Sequence, residues 1–147
     1  SLKDKITSSL KNVDIILSPA LGGIVVGYEV GRQLGKETIF AERVEKKLML
    51  RRGFVIPANT NVLIVEDVIT TGKSALECSN LVKINHAKLA GYACIIDRTN
   101  SNSLIQEKII SQIKFNIETY KENELPEKLR KIPPTNPGSR NISKWQK

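Results

Sequence analysis

Residues 62–74, Val-Leu-Ile-Val-Glu-Asp-Val-Ile-Thr-Thr-Gly-Lys-Ser, constrain this chain more than any other stretch. Four apolar β-formers, Val62 to Val65, run straight into two carboxylates, Glu66 and Asp67. Val68 and Ile69 then lead into Thr70-Thr71-Gly72-Lys73-Ser74, after which the pattern becomes helical. A continuous apolar run reads as a buried parallel strand, because both of its faces are covered. Open α/β sheets bind ligands beyond the carboxyl ends of such strands. The Thr70–Ser74 turn offers backbone N–H groups, hydroxyls and the positive end of a helix, which together suit a phosphate. The carboxylates cannot touch that phosphate without repulsion, so they face hydroxyls, a metal or positive charge that develops during a reaction. A phosphorylated sugar meets all of these requirements.

Two other readings compete. Gly72-Lys73-Ser74 ends like the nucleotide-binding pattern G-x-x-x-x-G-K-[ST], which requires glycine at position 67. Position 67 is Asp67, whose side chain occupies the place where that loop wraps its phosphates, so a P-loop is disfavoured. A plain buried strand followed by a helix capped by Thr70 or Thr71 accounts for the threonines and the glycine. It leaves the paired carboxylates unexplained.

The remaining elements fit the same architecture. Asp14-Ile15-Ile16-Leu17 predicts a second buried strand, and Ser18-Pro19-Ala20-Leu21-Gly22-Gly23 leads from it into a helical stretch, Ile24 to Leu34. Glycine pairs let N–H groups converge on an anion, although an ordinary strand-to-helix turn reads the same way. Residues 41–54 are strongly basic and supply few core candidates, which suits a solvated hairpin as well as an anion clamp. Ala75, Leu76, Cys78, Leu81, Val82 and Ile84 mark one helix face within 72–87. Residues 89–96 predict a third buried strand ending in Asp97-Arg98. An arginine there lies on the ligand side, where its planar fork matches a carboxylate; pairing with Asp97 is the alternative. Residues 113–120 alternate like an edge strand. A polar tail with Pro126, Pro133, Pro134 and Pro137 follows.

The 62–74 segment resembles the phosphoribosyl-pyrophosphate (PRPP) motif of the type I phosphoribosyltransferases, and the resemblance extends from Ile15 to Arg140. It implies a three-layer α/β fold with a central, mainly parallel sheet, a flexible flap and an extended C-terminal tail. The expected division is a phosphoribosyltransferase domain over 1–120 and a tail over 121–147, packed on the domain or on a partner subunit. In that family Glu66 and Asp67 would hold the ribose hydroxyls and stabilise oxocarbenium-like charge, while Val68, Ile69, Thr70, Thr71, Gly72, Lys73 and Ser74 would complete PRPP binding. Purine-specific members carry Asp at position 70. The neutral Thr70 points to a base that is already anionic, and orotate fits. Ala20, Leu21, Gly22 and Gly23 match the pyrophosphate loop, with Gly22 where many relatives have lysine and a non-proline cis peptide expected in the Ala-Leu-Gly stretch. Arg43 and Lys47 match the flap residues that clamp pyrophosphate; Lys46 competes with Lys47, and Met49 replaces a histidine. Arg98 matches an arginine that grips orotate.

The family further implies transfer of phosphoribose from PRPP to orotate in pyrimidine biosynthesis, Mg²⁺ carried on PRPP without direct protein ligands, and a cytoplasmic homodimer sharing its active sites. The family also implies an N-terminal hood segment over the base; only a short amphipathic stretch precedes Asp14 here, as expected of a sequence that lacks its native N-terminus. In one subgroup the tail carries Cys-Pro-x-Cys, but here those cysteine places hold Leu125 and Lys128, and a lysine place further on holds Asn136.

Composition narrows the classes. At 147 residues the chain suits one domain, and no stretch is long or apolar enough to span a membrane. The formal charge of +8, from 23 basic against 15 acidic residues, admits a PRPP-sensing regulator that binds RNA or DNA. Aromatics make up only 5% of residues, however, too few for a stacking platform, and a polyanionic substrate explains the charge more simply. Cys78 and Cys94 read as small buried hydrophobes. His86 falls near a helix end, where pairing with the helix dipole is favoured over catalysis. Trp145, in the polar terminus, carries no signal.

Overall fold

A computed structural model describes residues 1–100, 103–118, 120 and 122–133. Ser1–Ile117 forms one compact unit and Glu118–Lys147 a second. The first contains α1 (Leu2–Ser9), β1 (Ile15–Pro19), α2 (Gly22–Leu34), β2 (Glu37–Val44), β3 (Lys47–Leu50), β4 (Asn61–Ile69), α3 (Lys73–Ile84), β5 (Lys88–Asp97) and β6 (Ile109–Lys114). The six strands make one sheet in the order β3-β2-β1-β4-β5-β6. All neighbours are parallel except β2 and β3, which pair as an antiparallel hairpin. The mainly parallel α/β architecture expected from the sequence is the one observed.

Period-two alternation sorts the sheet residues into two cores. Ile15, Leu17, Val62 and Ile64 join Ala75, Cys78 and Val82 of α3 on one face. Ile16, Leu63 and Val65 join Leu2 and Ile6 of α1 and Val30 of α2 on the other. Each fully buried aliphatic side chain contributes about 1.5–3 kcal/mol. α2 lies close to the sheet because it has glycine where it crosses β1: a Cβ at Gly27 would collide with the Ser18 hydroxyl. At the opposite end, the Asp14 carboxylate accepts bonds from the backbone and side-chain nitrogens of Asn61, both at 2.8 Å, joining the approach to β1 to the start of β4.

Several element bounds differ from expectation. β1 runs through Pro19, and α2 begins at Gly22 rather than Ile24. β4 continues to Ile69, so Glu66 and Asp67 lie within the strand and not beyond its end. The edge strand is Ile109–Lys114, not 113–120. The alternation at Ile113, Phe115 and Ile117 falls on exposed side chains, while Ile110 is buried in one core and Ile109 packs against the other. The basic segment 41–54 is also better supplied with apolar contacts than its charge implied: Leu48 is buried, Leu50 and Phe54 pack on the α3-side core, and Phe54 meets Phe40 edge-on at 5.0 Å. His86 lies two residues past α3 with φ +55°, and its carbonyl accepts the Asn59 N–H. In the second unit, a 3₁₀ turn at Glu122–Glu124 precedes a short helix, Glu127–Arg130. Trp145, Asn136 and the tail beyond Pro133 lie outside the described residues.

Candidate active site

The strand order places a switch point between β1 and β4, from which successive crossovers run in opposite directions. Ligands of open α/β sheets bind in the crevice at such a point. Two helices begin there, one from each face of the sheet: α2 directly after β1, and α3 directly after the loop that follows β4. The N-cap residues, Leu21 and Gly72, make no side-chain cap bond, although in α3 the Thr71 hydroxyl accepts the Lys73 N–H at 3.4 Å. The orphan N–H groups of a helix start, with the positive dipole end, favour an anion. Two helix starts at one crevice suit a ligand with two phosphate groups.

Gly72, with φ +79°, opens α3 from the left-handed region that glycine tolerates. The loop closes over a cavity of about 190 Å³ lined by Glu66 and Val68 to Ser74. Behind it, the Thr71 carbonyl accepts the Leu104 N–H at 2.9 Å, and the Ile105 side chain lies where a Gly72 Cβ would project. Ile105 was not singled out in the sequence, since its role depends on a contact more than thirty residues away in the chain.

The acidic pair divides between the faces. Glu66 points to the α3 side, is buried, and accepts the Ala75 N–H. Burial pushes its carboxyl up to about 7, repulsion from Asp67 acts in the same direction, and the Ala75 N–H opposes them. Asp67 points to the α2 side, where its carboxylate lies against Gly22; a Cβ at that glycine would fall on it. The structure thus brings Asp67 to the loop Ala20–Gly23, and Glu66 to the phosphate-sized cavity. The Ala20–Leu21 bond is cis, as the motif implied.

Arg98 follows β5 beside the same end of β4, and its N–H donates to the Ile69 carbonyl at 2.8 Å. It does not pair with Asp97. Burial raises the Asp97 carboxyl, but bonds from Thr99 and Lys114 outweigh that and hold it below the usual range. The ammonium of Lys114 is 3.3 Å away. The Arg98 Nε is buried with no hydrogen-bond partner among the described residues, a costly state for a cation's N–H that a ligand acceptor would relieve.

The flap residues contact other groups. Arg43 in β2 pairs with Glu77 of α3 at 2.9 Å. Lys46 occupies the hairpin turn with φ +70°, and Lys47 and Met49 lie on the exposed outer strand β3. Glu77 went unnoticed in the sequence, where a glutamate on an amphipathic helix reads as solvated surface. Cys78 and Cys94 are free and buried. Burial raises both thiols, that of Cys94 up to about 12.

This chain belongs to the phosphoribosyltransferase family: the model of the phosphoribosyl transferase domain matches residues 2–127. It is 44% identical over 145 residues to the orotate phosphoribosyltransferase of Methylorubrum extorquens, covering 98% of this chain and 74% of that one. It is 47% identical over 128 residues to the orotate phosphoribosyltransferase of Chlorobaculum parvum, covering 87% and 66%. A solved adenine phosphoribosyltransferase from Thermoanaerobacter pseudethanolicus matches with TM-score 0.64 at 19% identity over 78% of each chain, a likeness of fold alone. Among the described residues, no helix is long and apolar enough to cross a membrane.

Proposed function

We infer that this chain transfers phosphoribose from PRPP to orotate, giving orotidine 5′-phosphate and pyrophosphate in pyrimidine nucleotide biosynthesis. The observation that carries the reading is the meeting of two helix starts and Asp67 at one switch point, in a chain that is 44% identical to an orotate phosphoribosyltransferase. The loop Thr70–Ser74 cradles the 5′-phosphate, and the N–H groups of Gly22 and Gly23 receive pyrophosphate. Asp67 faces the ribose hydroxyls and the positive charge that builds as the C1–pyrophosphate bond breaks, an electrostatic role. Glu66 supports the ribose from the cavity side. Arg98 takes the orotate carboxylate, Thr70 hydrogen-bonds the base, and Arg43 and Lys47 stabilise the departing pyrophosphate.

Mg²⁺ fits as part of the substrate. The ion usually takes one or two carboxylates together with substrate phosphates. Asp67 beside a diphosphate-binding loop suits an ion already held by PRPP, where it neutralises leaving-group charge. The active unit is a homodimer with shared sites.

A panel of orotate, uracil, hypoxanthine and adenine, each supplied with PRPP and Mg²⁺, tests this reading. Orotate alone should be consumed, with pyrophosphate released in equal amount. Turnover of a different base, or of none, would overturn it.

A further inference from the structure

We propose that Glu77 is a positioning residue for the transfer reaction. It would hold the end of the Arg43 guanidinium and leave the side-on edge free for a diphosphate. The proposal deepens the functional reading above and rests on it. The two residues of the hairpin turn, Glu45 and Lys46, have φ of +45° and +70°, a mirror-type turn made without glycine. Arg43 folds back over that turn: its Nη1 donates to the Lys46 carbonyl at 2.6 Å and to Glu77 Oε2 at 2.9 Å. Its Nη2 donates to Glu77 Oε1 at 3.3 Å. The same Oε2 accepts the N–H of Leu48, which lies opposite Arg43 across the hairpin, also at 3.3 Å. One carboxylate therefore holds a side chain from one strand of the hairpin and a backbone group from the other.

The chemistry follows from counting donors. A guanidinium has five N–H groups in a rigid fork. Nη1 uses both of its hydrogens and Nη2 one, leaving Nε–H and the second Nη2–H on the same side. These two form the side-on edge that binds a phosphate bidentately. Nothing among the described residues occupies them. Glu77 itself lies four residues beyond Lys73, one turn into the helix whose start forms the phosphate loop. It thereby ties the pyrophosphate-binding arginine to the element that holds the 5′-phosphate. A lysine at position 43 could not be fixed at one end and remain bidentate at the other.

The test measures pyrophosphate binding by calorimetry at low ionic strength. The variants are Glu77→Gln, Arg43→Ala and the double variant, each checked for an unchanged melting transition. Glu77→Gln keeps an acceptor for the Leu48 N–H while removing the charge that orients Arg43. It should weaken pyrophosphate by about tenfold, within the range of couplings between contacting residues. In the Arg43→Ala background the same substitution should cost nothing further. Wild-type affinity in Glu77→Gln, or losses that simply add in the double variant, would overturn the proposal. If the wild type binds pyrophosphate but fails to convert orotate, the functional reading fails while the coupling of Glu77 to Arg43 can still be measured.

Discussion

Glu66 carries its acidity shift because it is buried beneath the phosphate loop beside a second carboxylate. Its carboxyl rises from 4.5 to about 7 on folding, so the folded protein holds this proton more tightly than the unfolded chain. Stability from this group is therefore full below pH 4.5 and is lost as pH rises through about 7. At about 1.4 kcal/mol per pKa unit, the loss is on the order of 3 kcal/mol. The urea midpoint of the wild type should fall between pH 5 and pH 8, and that of Glu66→Gln should fall less; an equal fall in both would show that Glu66 is not the group. Arg98 supports a prediction of selectivity. Its buried Nε has no partner among the described residues, so Arg98→Ala should raise the orotate KM by about tenfold or more, the scale of one charge-assisted contact. PRPP affinity, followed by calorimetry, should stay near wild type. Matching losses for both ligands would assign Arg98 to the fold.

The starts of α2 and α3 are the elements on which the site depends, and Gly22 separates folding from function there. A Cβ at Gly22 meets the end of the Asp67 side chain rather than backbone, so the fold can absorb it by moving that carboxylate. Alanine is also a better helix former than glycine. Gly22→Ala should therefore melt no lower than wild type while kcat falls by about tenfold, roughly 1.4 kcal/mol of barrier. Unchanged turnover would mean that the position of Asp67 is not critical. What the sequence revealed follows the same division. Glu66 to Ser74 was legible because the motif is contiguous, and a buried parallel strand is marked by its unbroken apolar run. The division of Glu66 from Asp67 between two faces follows from period-two alternation once β4 is known to run to Ile69. The edge strand was misplaced because Ile113, Phe115 and Ile117 alternate without being buried. Glu77 and Ile105 stayed hidden because their partners are distant in sequence, and no local pattern records such a contact.

At the scale of the whole molecule, a charge of +8 draws a polyanionic substrate towards the crevice, and the same charge must be managed wherever two copies meet. Lys47 is exposed on β3, the outermost strand of a hairpin at the sheet edge, and makes no ion pair with any described residue. Asp67 sits at the central switch point. In the shared-site homodimer proposed above, Lys47 of one copy serves the site built on Asp67 of the other, as two-fold symmetry allows. Lys47→Ala and Asp67→Asn homodimers should each be inactive. When the two variants exchange subunits, one site of each heterodimer receives both defects and the other receives neither. Random exchange makes half of the dimers mixed, so activity should recover to about a quarter of wild type. If each site used its own Lys47, every site would keep one defect and no activity would return. Native mass spectrometry shows whether exchange took place, so a silent mixture with exchange complete would exclude the shared site.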